Sequence, residues 1–520
     1  MAMGKRSEEG VQGELFLTSG DFPASPGHAF YDRLNAVLAE AKFDGFVESQ
    51  CLEFYDDPSK GGRPSVPPGN YFRMLFVGYF EGIDSQRGIA WRCADSRSLH
   101  AFLGLSWKET SPDHSSLTNI RKRLPESAHM AVFDWVLTLC ADKKLLTDPS
   151  VVGVDSTTIE ANAAMRSIVR KDTKPSYRES VKTLMKDEAG DGPATEPAVP
   201  PSPPPEAKPE AKTKTKTEAK TEAKPEVPAP PSESKPPEPS LAEIIRFDRK
   251  RKGKTCSNAD WESPVDADAR VAKMKDGRTR LAYKAEHVVD LKSEVILAAE
   301  LYAADISDHA TGVDSVLTAR CHLTQAGLAM TIDGCAEDKG YHAREPLALA
   351  EAYSLRTYVA EPDRPHRARW KDVPEEQQKA VYANRRRVKG ERGKALQRRR
   401  SEVVERSFAH VCETGGARRS WLRGFDKIRK RYAMAIAARN LGLLMRKLFG
   451  IGKPRTLQTG GKLDGTDGTG GTGGPGGDKG PGTGPTGLDG LLKRLCDHLR
   501  SRCGPGGRNP NAFRFRLVTM

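Results

Sequence analysis

The sequence predicts an α/β protein in which a mixed sheet flanked by helices follows an all-helical N-terminal domain. Residues 27–145 carry apolar side chains at helical spacing. A different pattern begins at residue 151, where strand-length apolar segments alternate with longer helical ones, as they do in α/β domains. Two further stretches hold too few apolar residues to pack into a core. Together these observations predict two folded domains with an unfolded insert and tail.

The N-terminal region, residues 1–145, is predicted to be a helical DNA-binding domain. Its periodic apolar positions include Phe30, Leu34, Val37, Leu38, Tyr71, Met74, Leu75, Phe80, Val132, Val136 and Leu139. Residues Ser111–His114 supply side chains that begin helices, and they precede a helix that ends in Arg121, Lys122 and Arg123. Basic residues at a helix end either contact DNA phosphates or complement the helix dipole, and the sequence leaves both interpretations open.

Residues 146–450 are predicted to form the α/β domain. Its first strand is Val151–Asp155, an apolar run that ends in a carboxylate. The segments that follow are strands at 279–291 and 295–302, a helix at 310–326, strands at 328–332 and 355–359, and basic helices at about 375–400 and from 403 onward. The ribonuclease-H-like fold, a mixed sheet flanked by helices, has this order of elements.

Two segments of biased composition are predicted to be unfolded. Residues 191–240 hold 15 of the 36 prolines and no aromatic residue, which indicates a disordered insert at 190–240. Residues 460–490 hold 15 glycines, which indicates a flexible Gly-rich tail at 451–520 that includes at most one short helix. The Gly-rich stretch lacks the GK[ST] ending of a phosphate-binding loop.

Charge and cysteine content narrow the class of protein. Lys and Arg number 83 against 69 Asp and Glu, and the formal net charge of +14 favours a polyanionic partner. The sequence contains neither a membrane-spanning apolar run nor an apolar signal core at its polar start, so we expect a cytoplasmic, nucleoid-associated protein without a membrane partner. The nine cysteines form no CxxC pair, which argues against a disulfide framework or a structural zinc site.

Three acidic residues are candidates for a catalytic metal site. Mg²⁺ prefers oxygen ligands, and phosphodiester chemistry with two such ions requires carboxylates that converge from distant parts of the chain. Asp155 ends the first strand, Asp338 follows the strand at 328–332, and Glu405 lies on a helix between apolar positions. Asp333 is nearer that strand than Asp338, and Glu402 shares the helix face of Glu405. The spacing alone leaves both choices open.

Ordered sequence blocks between about Gly62 and Gln458 resemble those of bacterial insertion-sequence transposases of the DDE class, in the branch with a helical N-terminal transposase domain. The blocks are GRPSVPP at 62–68, RML at 73–75, GYFEGI at 78–83, IAWR at 89–92, TSPDHSSL at 110–117, GVDSTTIEANA at 153–163, KMKDGRT at 273–279, DKGYH at 338–342, NRRR at 384–387 and ERSFAH at 405–410. The resemblance covers this whole span apart from the Pro-rich insert.

The resemblance implies a ribonuclease-H-like catalytic core in which Asp155, Asp338 and Glu405 bind Mg²⁺, with Mn²⁺ as its alternative. It favours Asp338 over Asp333 through the DKGY block and Glu405 over Glu402 through the ERSF block. One departure concerns the residues around the glutamate. Some related transposases carry an Arg before it and a Lys after it, where this sequence has Ser401 and Cys412.

Two basic runs flank the third acid. Residues 385–400 carry nine Lys or Arg, and residues 406–447 carry eleven. Because the runs bracket a candidate metal site, we interpret them as phosphate contacts, with a solvated basic helix as the alternative. The candidate DNA contacts here are Arg385, Arg386, Arg387, Arg398, Arg399, Arg400 and Arg406, in addition to the basic end of the N-terminal helix.

The function that these features favour is metal-dependent DNA strand cleavage and strand transfer at the ends of an insertion sequence. Double-stranded DNA, both terminal repeat and target, is the expected partner, and a homodimer on DNA is expected because two ends are cut together. Two alternatives remain: a transposon-derived DNA-binding protein without catalytic activity, and a nuclease without preference for element ends.

Overall fold

A computed structural model of the protein describes residues 27–55, 65–106, 109–171, 176–190, 240–250, 257–274, 276–362, 370 and 372–457. These residues divide into two compact units. The first unit contains the chain up to Met165 and again from Val265 onward, and the second contains Arg166–Pro264. The predicted insert at 190–240, apart from its two end residues, and the predicted tail after residue 457 lie outside the described residues.

The first unit contains the helices of the N-terminal region and the strands and helices of the α/β region. Its helices are α1 (Ala29–Glu40), α2 (Phe43–Cys51), α3 (Pro68–Glu81), α4 (Gln86–Ala94), α5 (Arg97–Phe102), α6 (His114–Arg123), α7 (Glu126–Asp142), α10 (Gly312–Gln325), α11 (Arg344–Ala352), α12 (Glu375–Lys389), α13 (Glu391–Phe408) and α14 (Phe425–Phe449). Its strands are β1 (Val151–Glu160), β4 (Arg270–Lys273), β5 (Thr279–Asp290), β6 (Ile296–Ala303), β7 (Gly334–Glu337) and β8 (Arg356–Val359).

The second unit is small. It consists of the antiparallel strands β2 (Val169–Arg170) and β3 (Trp261–Glu262) and the helices α8 (Tyr177–Gly190) and α9 (Leu241–Lys250). The rings of Tyr177 and Trp261 pack edge to face with their centroids 5.3 Å apart, which is a favourable aromatic geometry.

The helical N-terminal region follows from local capping and apolar spacing. Side chains of Ser85, Ser96 and Asp113 accept hydrogen bonds from the first-turn amides of α4, α5 and α6, as helix-capping residues do. At the end of α3, Gly82 adopts a left-handed conformation with φ of 70°, which favours glycine. The sequence prediction of a helical region at 27–145 is therefore confirmed for the described residues.

The long helix α14 is the apolar partner of these N-terminal helices. It packs against α3 and α7, and its residues from Tyr432 to Met445 are buried. Since α14 also packs against β6, one core joins the N-terminal helices to the sheet. The N-terminal helices and the sheet thus belong to a single compact unit.

The sheet is mixed, with strand order β4-β5-β1-β7-β8. β6 pairs with β5 as well, next to β4, along residues Tyr283 to Val289. β5 runs antiparallel to β1, β4 and β6, whereas β7 and β8 run parallel to β1 and to each other. The helix α13 packs on β1, β5, β7 and β8, and α10 packs on β1, β5 and β6. The α/β architecture with a mixed sheet is the one that the sequence predicts.

Two strand predictions require correction. Residues 328–332 form no strand, because Leu328 to Thr331 are partly or fully exposed and the chain joins the sheet only where Asp333 and Gly334 donate to the Ser150 carbonyl. The strand is β7, which ends immediately before Asp338. β1 also continues past Asp155 to Glu160, because β5 pairs with it along this entire length.

Two further findings concern the cysteines and the length of the apolar helices. None of the cysteines that the structure describes forms a disulfide. Among the residues described, no helix combines the length and the apolar character that crossing a bilayer requires.

Candidate functional site

Asp155 on β1 and Asp338, the residue directly after β7, lie at corresponding positions of two neighbouring parallel segments. The last register pair of β1 and β7 joins Gly153 to Ala336, and each aspartate lies two residues beyond its member of that pair. Because side chains alternate between the faces of a strand, Asp155 shares the face of Gly153. That face is covered by α13, since a Cβ on Gly153 would lie 2.9 Å from Val404.

Asp155 is held by one positive charge and one backbone amide. Its Oδ2 accepts a hydrogen bond from Arg400 Nη1 at 3.0 Å, and its Oδ1 accepts one from its neighbour's amide, Ser156 N, at 2.8 Å. Burial raises the pKa of the Asp155 carboxyl above its usual value, although the Arg400 guanidinium opposes this change. The negative charge of Asp338 also raises the pKa, which indicates that the two carboxylates interact electrostatically.

Asp338 begins a tight turn directly after β7. Its side chain caps the 3₁₀ turn Lys339–Tyr341 by accepting from Gly340 N at 2.7 Å. The competing acid Asp333 lies before β7, at the strand end where the chain enters the sheet beside Ser150. The strand β7 therefore separates Asp333 from the two aspartates that are at matched register.

Glu405 lies on α13, one residue after the buried Val404 that packs against Gly153. Its side chain is exposed. Glu402 is exposed as well, and it forms ion pairs with Arg399 and Arg406 on the same helix. Among the described residues, no group of three or more His, Cys, Asp or Glu side chains is arranged so that it could hold a metal ion. The convergence of all three predicted acids therefore stays a prediction.

A buried polar network lies on the other face of the sheet, behind the two aspartates. Glu286 on β5 is fully buried and accepts from Ser315 at 2.5 Å, from Thr311 at 2.8 Å and from Tyr341 at 2.8 Å. Burial raises the pKa of Glu286, and the Lys284 charge opposes the increase. Lys284 is 4% exposed, and its Nζ donates to Thr311 at 2.8 Å.

Glu337, the last residue of β7, adds a second buried acid to this network. Burial raises its pKa to about 8, and the negative charges of Glu286 and Asp338 act in the same direction. Its Oε1 has no hydrogen-bond partner. A carboxyl group with such a pKa is largely protonated at neutral pH, which lowers the negative charge beside Asp338.

Sequence reasoning missed these network residues. Glu286 and Lys284 lie within an apolar strand pattern, where isolated charged residues are usually interpreted as solvent-facing. The available signal was their spacing, because two charged side chains at positions i and i+2 of a strand share one face. Here that face is covered by α10.

The predicted phosphate contacts differ in exposure. Arg386, Arg398, Lys122 and Arg123 are exposed. Most of the other predicted arginines have intramolecular partners: Arg385 binds Glu361, Arg387 binds Glu351 and the Thr357 carbonyl, Arg399 binds Glu294, Glu402 and the Leu291 carbonyl, Arg400 binds Asp155, and Arg406 binds Glu294 and Glu402. A phosphate contact by any of these would compete with an existing ion pair.

Arg121 differs from its two basic neighbours on α6. Its side chain is only 7% exposed, and burial lowers its pKa. The sequence interpretation treated the basic end of α6 as one surface, but Arg121 points into the interior since it falls on the same helix face as the buried Leu117. The exposed part of this surface consists of Lys122 and Arg123.

The second basic run is also divided between surface and interior. Lys430 is 4% exposed and Arg439 is 1% exposed, and both face the core along α14. Arg439 Nη1 donates to the Glu294 carbonyl at 2.5 Å, Arg431 Nη2 donates to the Ile83 carbonyl at 2.8 Å, and Arg429 Nη2 donates to the Leu301 carbonyl at 3.0 Å. These residues fix the packing of α14, so the interpretation of the whole run as a DNA surface requires correction.

Comparison with protein families gives two matches. Residues 22–123 match the family described as Transposase domain (DUF772), and residues 363–445 match the family described as Transposase DDE domain. The first match contains the described helices α1 to α6, and the second contains Glu405, whereas Asp155 and Asp338 lie before it. No curated protein and no solved structure matches the chain.

Proposed function

We propose that the chain is an insertion-sequence transposase of the DDE class, which cleaves DNA at the ends of its element and joins them to target DNA; the two transposase-domain matches support this proposal. Asp155, Asp338 and Glu405 are the metal-binding residues in this proposal. The transposase domains imply DNA as the partner. The proposal adds the chemistry, the metal and the residues that perform it.

The observation that carries the proposal is that Asp155 and Asp338 each lie two residues beyond Gly153 and Ala336, the last register pair of the parallel strands β1 and β7. Two carboxylates at equivalent positions of adjacent parallel strands lie close together, and the third acid is on the helix that covers this face of the sheet. The strand order, in which β6, β5 and β1 are antiparallel and β7 and β8 run parallel to β1, supports a ribonuclease-H-like core.

The residues around Asp155 and Asp338 suit a hard divalent cation. Lys284 and Arg400 supply positive charge to a region that contains five carboxyl groups, those of Asp155, Glu286, Asp308, Glu337 and Asp338. Carboxylate oxygens are the ligands that Mg²⁺ and Mn²⁺ prefer. When bound, such ions activate the attacking oxygen and stabilise the leaving oxygen of a phosphodiester.

The protein's own residues would hold the ions and the DNA. Asp155 and Asp338 provide ligands from the sheet, and Glu405 provides one from α13 after a change in its side-chain position. Arg400, which binds Asp155, would be available to a DNA phosphate if that carboxylate held a cation instead. Exposed Arg386, Arg398, Lys122 and Arg123 contact phosphates along the duplex, and two copies of the chain act together on two ends.

The test uses the full-length protein and duplexes that carry the inverted repeats flanking its gene. Asp155→Ala, Asp338→Ala and Glu405→Ala are each expected to reduce Mg²⁺-dependent end cleavage by about 10³-fold or more, because each removes a ligand of the ions. Binding of the same duplex, measured by a mobility shift, is expected to remain. Gel analysis of labelled strands measures the cleavage.

The two competing acids provide matched controls. Asp333→Ala removes a carboxylate just before β7, and Glu402→Ala removes one from the same helix as Glu405; both variants are expected to cleave as the wild type does. Normal cleavage by Asp155→Ala, or loss of cleavage in the Glu402 variant but not in the Glu405 variant, would refute the assignment.

A transposon-derived DNA-binding protein without catalytic activity is the second candidate. The observation that favours it is the exposed position of Glu405, which belongs to no three-residue metal group among the described residues. A strand-transfer assay separates the candidates, because a binding protein shifts end-containing DNA without joining it to a target.

A further inference from the structure

Asp308 is a carboxylate that the sequence analysis did not select and that lies at the centre of the polar network. It begins the 3₁₀ turn Asp308–Ala310 between β6 and α10, and its side chain is 35% exposed. Its neighbours Ser307 and His309 are exposed, whereas Asp308 is directed toward the sheet. It contacts groups from three different elements: β1, β5 and the turn that follows β7.

The first contact fixes the residue that follows Asp155. Ser156 Oγ donates to Asp308 Oδ1 at 2.8 Å, and Ser156 N donates to Asp155 Oδ1 at 2.8 Å. Because successive side chains of β1 point to opposite faces, Ser156 reaches Asp308 on one face while Asp155 reaches Arg400 on the other. Asp308 thus holds the side chain of the residue whose amide donates to Asp155.

The second contact lies beside Asp338. A Cβ on Gly340 would lie 3.0 Å from Asp338 Oδ1 and 3.1 Å from Asp308 Oδ2, so both carboxylates approach the same glycine. Any side chain at position 340 would displace at least one of them. The absence of a side chain at Gly340 therefore allows the Asp308 turn and the Asp338 turn to pack against each other.

The third contact anchors Asp308 to the interior. Lys284 Nζ donates to Asp308 Oδ1 at 3.2 Å and to Thr311 Oγ1 at 2.8 Å. Thr311 in turn donates to Glu286, which also accepts from Tyr341 in the Asp338 turn. These hydrogen bonds form a continuous path from Ser156 on β1 through Asp308 to Tyr341 in the Asp338 turn.

We propose that Asp308 is a positioning residue that sets the separation of Asp155 and Asp338 through Ser156 and the Gly340 turn. The inference rests on the proposed function, since it takes these two aspartates as cation ligands. Asp308 itself contacts neither the ion nor the DNA in this proposal. Residues that orient metal ligands typically change metal affinity by about 10- to 100-fold when they are replaced.

The experiment measures Mn²⁺ binding to the full-length protein by electron paramagnetic resonance of free Mn²⁺, without DNA and without turnover. Asp308→Ala and Ser156→Ala are expected to weaken binding by about 10-fold or more. Asp308→Asn, which still accepts from Ser156 and Lys284, is expected to have an intermediate affinity. Asp305→Ala, a change of an exposed acid in the same loop, is the matched control and is expected to bind as the wild type does.

Two further measurements separate positioning from a general structural role. Ser156→Ala and Asp308→Ala combined are expected to weaken Mn²⁺ binding less than the sum of their separate effects. The reason is that both substitutions remove the same hydrogen bond, the one from Ser156 Oγ to Asp308. A structural role would instead lower the melting temperature equally with and without Mn²⁺. If Asp308→Ala does not fold, Ser156→Ala and Asp308→Asn test the same contact.

The outcomes distinguish this inference from the proposed function. Wild-type affinity in Asp308→Ala and Ser156→Ala, with binding lost in Asp155→Ala, overturns the inference alone. Mn²⁺ binding that is absent from the wild type, or that Asp155→Ala leaves unchanged, overturns the proposed metal site and the inference together. Weaker binding in both variants with a normal Asp305→Ala control supports the inference.

Discussion

Two groups of buried charged residues lie in the same compact unit, and they are neutralised in opposite ways. On the interior strands β1, β5 and β7, the residues Asp155, Glu286 and Glu337 belong to a group in which carboxyl groups outnumber the cations Lys284 and Arg400. Along α14, buried or half-buried basic residues instead donate to backbone carbonyl oxygens of the surrounding elements. We refer to these as the acidic group and the α14 basic group.

The difference shows what each group can do. Backbone carbonyls accept from the buried cations of the α14 basic group, and these bonds fix the packing of the helix, although Arg439 Nε and Nη2 and Arg429 Nε have no hydrogen-bond partner. In the acidic group, Lys284 and Arg400 are the two cations beside the carboxyl groups of Asp155, Glu286, Asp308 and Asp338. Negative charge that the protein leaves incompletely compensated is the condition under which a divalent cation binds.

The largest expected effect concerns the α14 basic group. Arg439→Ala is expected to lower the free energy of unfolding by about 3 to 5 kcal/mol, because it leaves a cavity and removes the donor to the Glu294 carbonyl. Arg439→Met fills most of the volume and is expected to cost less than half as much. Urea denaturation measures both values. An Arg439→Ala variant as stable as the wild type would show that this group does not serve packing.

A pH experiment tests the same group through His129 on α7. Burial lowers the pKa of His129 to about 4, and the positive charges of Lys430 and Arg121 act in the same direction. The unfolded chain therefore binds a proton that the folded protein excludes between about pH 6.5 and pH 4.

Stability is thus expected to fall as the pH falls through this window, by about 3 kcal/mol in total. His129→Gln cannot be protonated, and this part of the pH dependence should disappear from its unfolding curves. A variant that retains the full dependence would locate the acid sensitivity elsewhere.

The acidic group should respond to a cation, whereas the α14 basic group should not. Mg²⁺ or Mn²⁺ at about 100 times its dissociation constant is expected to stabilise the wild type by about 2.7 kcal/mol, which a thermal melt detects. Arg439→Met should keep this increment, and Asp155→Ala should lose it. Equal increments in both variants would contradict the contrast between the groups.

The smallest effect distinguishes exposed from buried basic residues in DNA binding. Arg398→Ala on α13 is expected to weaken binding by about 1 kcal/mol and to reduce the slope of log affinity against log salt by about 1, as loss of one phosphate contact does. Lys430→Met removes a buried charge of the second basic run and should leave the slope unchanged. Mobility shifts at several salt concentrations measure both slopes.

The sequence predicted most elements of the fold because their apolar spacing is regular. The strand at 279–291 appears as β5 (Thr279–Asp290), and the helix at 310–326 appears as α10 (Gly312–Gln325). The strand β7 was missed because Gly334, Cys335, Ala336 and Glu337 have little intrinsic strand preference. They form a strand only because they pair with β1 and β8 in the sheet interior.

The site was predictable only where residues are close in sequence to a strand end. Asp338 was selected over Asp333 through a family resemblance, and this choice stays a prediction; in the structure β7 lies between the two residues. The support from Asp308 and Glu286 depends on contacts between β1, β5 and α10 that no local pattern encodes. Burial of Arg121 and Arg439 was likewise invisible, because charge alone does not reveal which helix face meets the core.

The packing of α14 against α3 and α7 also has a consequence during synthesis. The N-terminal helices leave the ribosome when about 300 further residues, from Asp142 to Phe449, have still to be translated. At roughly 5 to 20 residues per second, their apolar faces wait between about 15 and 60 seconds for their partner. A nascent chain interrupted before Phe425 exposes these faces, which makes truncated products targets for chaperones and proteases.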